Sequence, residues 1–349
     1  MGRRRRFRSV VIPWGFRLLR RLIASAGPFR DVCRGSCPWR TGRDQTVVGW
    51  ANQTGLENGV AVCAPAKLNL SLQVLARRTD GFHEIESLMV PVTLHDRLRL
   101  WLRPEGGFSL SVRFRGRLAR GNGRQLARDV PADDRNLVLR AVRLLAERAG
   151  VTAGLAIELA KEIPSGAGLA GGSSDAAAAM QAAARLWGLD WSADRLAALA
   201  AEIGSDIPWF FARSAGLVAG RGEQVLPVAG ISPLPVVIAC PAEGLSTAAV
   251  YAACQPDASR RGEAAALAAA LTAGQLRRAL PLLTNMLEPP ARRLAPAVDR
   301  LLVSMARAGA MRPLLTGSGS ACFSLCRSNT EARRLASRLE AAGWPWVFC

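Results

Sequence analysis

The stretch from Ile163 to Asp175 reads Ile-Pro-Ser-Gly-Ala-Gly-Leu-Ala-Gly-Gly-Ser-Ser-Asp. Four glycines fall within seven residues, Gly166 to Gly172, and two hydroxyls and a carboxylate follow. Upstream, Leu155, Ile157 and Leu159 alternate with smaller or polar residues, the period of a strand. Downstream, Ala176 to Trp187 is alanine-rich and predicts a helix. Strand, glycine loop and helix N-terminus in that order make a phosphate cradle. Glycines let the backbone approach an anion, the first helical turn has unpaired N–H groups, and its dipole favours negative charge. Ser173 and Ser174 can add hydroxyl contacts to a phosphate or its metal. A glycine-rich turn before an ordinary helix accounts for the same residues without a ligand.

Two familiar cradles do not fit. No Gly-Lys-Ser/Thr follows the loop, which excludes a P-loop. Gly166 to Gly171 matches G-x-G-x-x-G, but no carboxylate suited to a ribose closes a strand about 20 residues on.

The chain has 349 residues, enough for a large core and two domains. Its formal charge is +19, yet Lys67 and Lys161 are its only lysines. Arginine supplies the rest, a bias that fits a GC-rich genome better than nucleic-acid binding. Residues 1–60 hold 12 Arg against Asp31, Asp44 and Glu57, a net of +9. The rest of the chain has no basic stripe with interleaved aromatics. Eight cysteines give no framework: Cys33-x-x-x-Cys37 and Cys322-x-x-x-Cys326 lack partners at zinc spacing, and there are two histidines. They read as reduced thiols in a cytoplasmic protein. No apolar run approaches the ~20 residues that span a bilayer.

Residues 1–59 are rich in Arg, Gly, Trp and Pro without sustained periodicity. A targeting peptide and a membrane-surface or nucleic-acid arm both fit. The favoured reading is a disordered extension, with the true start expected downstream. From Val60 to Ala66 the pattern is a strand ending in a turn. Lys67 then opens a half-buried strand, with Leu68, Leu70, Leu72 and Val74 facing one way and Asn69, Ser71 and Gln73 the other. Two further strands run through Leu98–Leu102 and Leu110–Phe114, and Gly116 to Pro131 is a polar loop. Asp134 is the expected cap of a helix from Asn136 to Ala149 that Gly150 stops, and Ser192 caps another helix. Ala229 to Pro235 is the expected linker. Beyond it come strand Val236–Cys240, a short helix at Ser246-Thr247 and further helices to Ala308. A small-residue turn Thr316-Gly317-Ser318-Gly319-Ser320, a helix Thr330–Ala342 and an edge strand at Trp344–Phe348 follow. The class is α+β.

Lys67 stands between Ala-Pro-Ala and a strand, in a chain that otherwise uses arginine. Asp206 lies between Gly204-Ser205 and Ile207-Pro208, ahead of Trp-Phe-Phe. A carboxylate in that apolar setting needs a partner, and Lys67 is the obvious one. Such an aspartate can take a proton from an alcohol that attacks phosphorus, and the ammonium can stabilise the transferring group. A structural salt bridge, or a helix-terminus cap for Asp206, fits these residues equally.

Pro65-Ala66-Lys67-Leu68-Asn69-Leu70, Asp80-Gly81-Phe82-His83, Pro164–Asp175, Gly204-Ser205-Asp206-Ile207-Pro208 and Thr316–Ser320 occur in one order. Together they resemble the GHMP kinase superfamily, over residues ~60–349. The resemblance is strongest to the branch that phosphorylates the carbon-2 hydroxyl of 4-diphosphocytidyl-2-C-methyl-D-erythritol. It implies a two-domain fold, a ribosomal-protein-like α+β domain at 60–228 and a ferredoxin-like α+β domain at 229–349, with ATP and Mg²⁺ as cofactors. Lys67 and Asp206 match the catalytic pair. Pro164, Ser165, Gly166, Ala167, Gly168, Leu169, Ala170, Gly171, Gly172, Ser173 and Ser174 match the ATP loop. Asn69 matches a substrate contact, His83 a residue that hydrogen-bonds cytosine, and Phe82 one that stacks on it, where the family often has Tyr. Thr247 and Tyr251, the sole tyrosine, match the segment that closes the cytidine pocket. Asn285-Met286-Leu287-Glu288 fits a family segment without an assigned contact. Thr316–Ser320 is expected to close over substrate or phosphates, and the metal ligands stay open between Ser174 and Asp175. His95 reads as structural. The expected partner is a small molecule bearing cytidine diphosphate, with no nucleic acid or membrane, and the chain is expected as a monomer or weak homodimer. A mevalonate- or homoserine-type kinase and a non-catalytic anion-binding protein are the alternatives.

Overall fold

Val60 opens a strand that does not stop at Pro65. In the computed structural model, which describes residues 59–119 and 130–349, β1 runs unbroken over Gly59–Arg77. It pairs antiparallel with β2, His83–Arg103, from Gly59↔Trp101 to Arg77↔His83. The register shifts between Pro65 and Lys67, so the expected turn is a bulge. A bulge lets proline, which has no N–H to donate, sit inside a paired strand. Nor is the following run half-buried. Leu68 to Leu75 are all buried, and Asn69, Ser71 and Gln73 are fully so. The second half of the chain covers their polar face: the Asn69 N–H donates to Thr316 Oγ1, and Gln73 Nε2 donates to Glu263.

The first sheet adds β3 (Phe108–Phe114), β4 (Gly154–Lys161), β5 (Ala215–Gly220), β6 (Gln224–Val228) and the two-residue β8 (Thr284–Asn285). Its order is β3-β4-β2-β1-β8, with the β5–β6 hairpin attached to β2. Three helices cover it. In α1, Leu137–Ala149, the Val138 N–H donates to Asn136 Oδ1 at 2.9 Å, and Gly150 ends the helix in the left-handed region. Asp134 lies too early to cap and pairs with Arg143 instead. The central helix α2, Gly171–Leu186, begins inside the glycines rather than at Ala176. Ser192 caps α3, Ala193–Ala200, as expected. Val138, Leu145, Leu155, Met180, Trp209 and Phe211 belong to the core between helices and sheet.

Residues 229–235 carry no helix or strand. A second sheet follows, built from β7 (Val236–Cys240), the hairpin of β9 (Leu314–Leu315) and β10 (Cys322–Leu325), and β11 (Trp346–Phe348). Between β7 and β9 lie α4 (Thr247–Ala252), α5 (Glu263–Thr272), α6 (Leu276–Ala279), α7 (Glu288–Leu294) and α8 (Pro296–Arg307); α9 (Asn329–Ala341) precedes β11. The order β11-β7-β10-β9, all antiparallel, is the ferredoxin-like arrangement. Its core takes in Leu72, Val74 and Ile85 from the first sheet beside Val237, Leu287, Leu301 and Leu335. The α+β class and the ferredoxin-like second half thus agree with expectation.

The basic leader, Cys33 and Cys37 lie outside the described residues, as does most of the polar loop before Pro131. The six described cysteines are free thiols. Among the described residues no helix is long and apolar enough to cross a membrane.

Candidate active site

β4 delivers the chain to the glycine loop, and α2 takes it away. Ala170 precedes the helix in the left-handed region, φ 54°, and no side chain caps the first turn. The N–H groups of Gly171, Gly172 and Ser173 therefore face outward without an intrahelical partner. The loop has an open and a packed side. Gly166 is exposed at φ +65°, and a Cβ there would meet nothing within 4 Å. Gly168, at φ +76°, packs on the small-residue turn: a Cβ would lie 2.3 Å from the Thr316 carbonyl oxygen. Pro164, Ala167, Leu169 and Gly171 are buried, whereas Gly172 is exposed and Ser165 and Ser173 are half-exposed. The Ala321 N–H donates to Ala167 O at 3.0 Å, and the Lys67 N–H donates to Leu169 O at 3.1 Å. Both halves of the chain therefore grip the loop. Gly168→Ala should force the two loops apart and lower the affinity for ATP at least tenfold, beyond the ~1–2 kcal/mol of backbone strain. Equilibrium nucleotide binding beside thermal unfolding checks this; unchanged affinity would sink the close-packing argument.

Lys67 is buried beneath this contact. Its Nζ donates to Asn69 Oδ1 at 2.5 Å and to Gly168 O at 3.0 Å. Asn69 in turn donates to Ser87 Oγ at 2.8 Å, and Ser87 donates to Ser71 O. Burial pulls the ammonium below the ordinary lysine range, and the Asp206 carboxylate pulls it back up. The direct ion pair expected from the sequence is absent: among the described residues no carboxylate oxygen lies within 4.0 Å of Lys67 Nζ. Asp206 acts through space, and among the described residues it has neither hydrogen bond nor ion pair. It sits ahead of the buried turn Pro208–Phe211, beside Gly222.

His83 opens β2, and its ring lies 5.1 Å from that of Tyr251 on α4, tilted by 36°. Its Nε2 is buried and has no partner among the described residues. Burial, then the Arg77 charge, lowers the imidazole pKa below its ordinary value. Burial raises the Tyr251 phenol, and Asp206 raises it further. Phe82 does not stack on Tyr251. It stands 47% exposed at the rim, with the Arg221 guanidinium 5.0 Å from its ring centre. Thr247 Oγ1 and Ser318 Oγ share a hydrogen bond of 2.8 Å, which ties α4 to the small-residue turn. The start of β2 thus meets α4, and α4 meets that turn.

Sequence reasoning missed a buried network behind the loop. Lys161 Nζ donates to Asp96 and, at 2.7 Å, to Asp175. Asp96 Oδ1 also accepts the N–H groups of Glu162 and Ile163. Burial raises the Asp175 carboxyl well above its usual range, Lys161 opposes this and Asp96 adds to it. Lys161 engages only Oδ2 of Asp175; Oδ1 is buried without a partner among the described residues. The available signal was the second of two lysines, ending a strand just before the loop. The Ser174 hydroxyl is likewise buried in the first turn of α2 without a partner among the described residues. Among the described residues no three His, Cys, Asp or Glu side chains cluster as a metal site.

The chain matches the family model of the GHMP kinases N terminal domain over residues 136–213 and that of the GHMP kinases C terminal over residues 250–344. The loop and helix of the first sheet and the ferredoxin-like half are thus those of a GHMP kinase, a class of small-molecule kinases. It is 40% identical over 279 residues to the 4-diphosphocytidyl-2-C-methyl-D-erythritol kinase of Shouchella clausii, covering 80% of this chain and 90% of that one. The kinase of the same name from Bacillus subtilis is 36% identical over 276 residues, covering 79% and 91%. A crystal structure of 4-(cytidine 5'-diphospho)-2C-methyl-D-erythritol kinase aligns with a TM-score of 0.65 at 36% identity, over 82% of this chain and 97% of that one. Homoserine kinase from Cytophaga hutchinsonii shares the fold, with a TM-score of 0.62 at 21% identity over 82% and 91%. The chain belongs to the 4-diphosphocytidyl-2-C-methyl-D-erythritol kinase family.

Proposed function

We propose that this protein transfers the γ-phosphate of ATP to the carbon-2 hydroxyl of 4-diphosphocytidyl-2-C-methyl-D-erythritol, a step of the non-mevalonate route to isoprenoids. The observation that carries the mechanism is the placement of Lys67. Its ammonium is held by Gly168 of the glycine loop and by Asn69, and it lies in the field of an Asp206 that it does not touch. Asp206 accepts the proton of the substrate hydroxyl as its oxygen bonds to phosphorus and the bond from phosphorus to the ADP oxygen breaks. Lys67 orients that hydroxyl and offsets charge on the transferring group. The open side of the loop, at Gly166 and the uncapped N–H groups of α2, holds the phosphates. The orphaned Ser174 hydroxyl suits Mg²⁺, an ion that takes one or two protein ligands and completes its shell with phosphate oxygens and water. Mg²⁺ supplies neutralisation of the phosphate charge.

Residues 60–228 form the ATP-binding part in this reading, and residues 229–349 close the substrate pocket. His83 Nε2 hydrogen-bonds the cytosine, and Tyr251 and Phe82 flank it. The enzyme works in the cytoplasm as a monomer or weak homodimer, without nucleic acid or membrane.

The direct test is ATP-dependent phosphorylation by the full chain, with mevalonate and homoserine offered alongside. Activity on either of those alone would keep the phosphate cradle and overturn the cytidine pocket. Tyr251→Ala should raise KM for the cytidine substrate about 5- to 150-fold, the worth of one aromatic–base contact of about 1–3 kcal/mol. KM for ATP should not move. Equal rises in both constants would place Tyr251 outside the pocket.

A further inference from the structure

Asn285, Met286 and Glu288 take no part in the site above, yet they line a cavity of about 500 Å³. Arg260, Arg293 and Arg312 line it too, and Glu288 is the only carboxylate among its lining residues. None of the lining residues belongs to the glycine loop, to the Lys67–Asp206 pair or to the His83–Tyr251 contact. The three guanidiniums are not equally engaged. Arg260 pairs with Glu263 and donates to Thr284, and Arg312 donates to the Leu283 carbonyl. Arg293 has no hydrogen bond or ion pair among the described residues, although it lines the cavity.

We propose that this cavity is a second anion site, taking a small phosphate-bearing ligand, and that its occupancy acts on the Thr316–Ser320 turn. Forked guanidiniums match phosphate oxygens two at a time, and the volume suits a small molecule. Glu288 is already engaged, accepting the Leu315 N–H and pairing with Arg292 at 3.7 Å. The route to the turn is short. Asn285 Nδ2 donates to Leu315 O at 2.9 Å and to Gly317 O at 2.8 Å. Glu288 accepts the Leu315 N–H at 3.0 Å. Gly317 is in tight contact with Gly168, and Thr316 accepts the Asn69 N–H. A ligand that shifts Asn285 or Glu288 therefore moves the turn that packs on the glycine loop.

The test titrates inorganic phosphate calorimetrically into the full chain saturated with ADP, at constant ionic strength. About one equivalent should still bind, and Arg293→Ala should weaken it about tenfold or more, the loss of one charge-assisted hydrogen bond. ADP affinity of that variant in phosphate-free buffer should match the wild type. Phosphate that ADP displaces, or that binds Arg293→Ala unchanged, overturns the site. Glycerol 3-phosphate separates the sources: tighter binding than inorganic phosphate assigns the site to an ester, weaker binding to the free ion, and both support it. For the coupling, phosphate should change ADP affinity at least twofold in the wild type and not in Arg293→Ala. Binding without that change overturns the coupling.

Discussion

Asp206→Asn should lower kcat about 10²- to 10⁴-fold, the usual contribution of a positioned base. KM for ATP should stay within about twofold, because among the described residues Asp206 makes no hydrogen bond or ion pair with the glycine loop, which is held by Ala321 and Lys67. The fold should survive as well: among the described residues the Asp206 carboxylate has no hydrogen bond or ion pair to lose. Steady-state kinetics beside thermal unfolding decide the matter. A variant that keeps a tenth or more of wild-type kcat would remove Asp206 from the proton transfer. One that loses activity together with its melting transition would make it a structural residue. The structure adds a second expectation for the same variant. Asp206 is the group that raises the Lys67 pKa against burial, so the asparagine should leave a more acidic lysine.

Lys161→Met should have the largest effect on stability. It removes the one cation from a buried group and leaves Asp96 and Asp175 facing each other. Breaking such a group costs about 3–5 kcal/mol. At this size that lowers Tm by about 4–7 °C. Asp175→Asn is the control. It removes one of two carboxylates that share a single ammonium, so it should cost much less than Lys161→Met. Equal losses in the two variants would dismiss the charge argument. The pH dependence follows from the same carboxyl. Its folded pKa lies above the unfolded value, so the folded state holds the proton more tightly. The stability from that proton is full at low pH and fades as pH climbs from 3.8 through the raised folded value. Asp175→Asn should flatten that fall, and urea melts across the range would read it.

Local signals carried the glycine loop, the α2 helix and the Ser192 cap, because each depends on residues within a few positions. They also carried the strands at Leu98–Leu102 and Leu155–Leu159, where alternation survives because one neighbour covers one face. Alternation misled at Asn69, Ser71 and Gln73. Those polar positions imply water, but their partners, Thr316 and Glu263, lie 247 and 190 residues away. The same distance hid the pairing of His83 with Tyr251 and the packing of Gly168 on Thr316. Pro65 read as a stop because the bulge that absorbs it depends on β2. Asp134 read as the cap and Asn136 as the first helical residue, whereas Asn136 is the cap, because the backbone direction decides which side chain reaches the first N–H groups. The apolar setting of Asp206 pointed to Lys67 and the family resemblance made the two a catalytic pair; their lack of direct contact was not legible from residue types.

Strand β1 belongs to both cores at once. Lys67 lies toward its middle, while Leu72 and Val74 pack among residues of the ferredoxin-like half, and Thr284–Asn285 extends the sheet beside them. The two halves are therefore not interchangeable modules. A gene cut after Val228 would strip an apolar stripe bare on the first fragment, and the second would lack part of its own interior. Recombination between relatives at that point would need both sides of the seam to match. Variation in this chain is thus freer at the rim, where Phe82 stands, than along the one strand that both halves read.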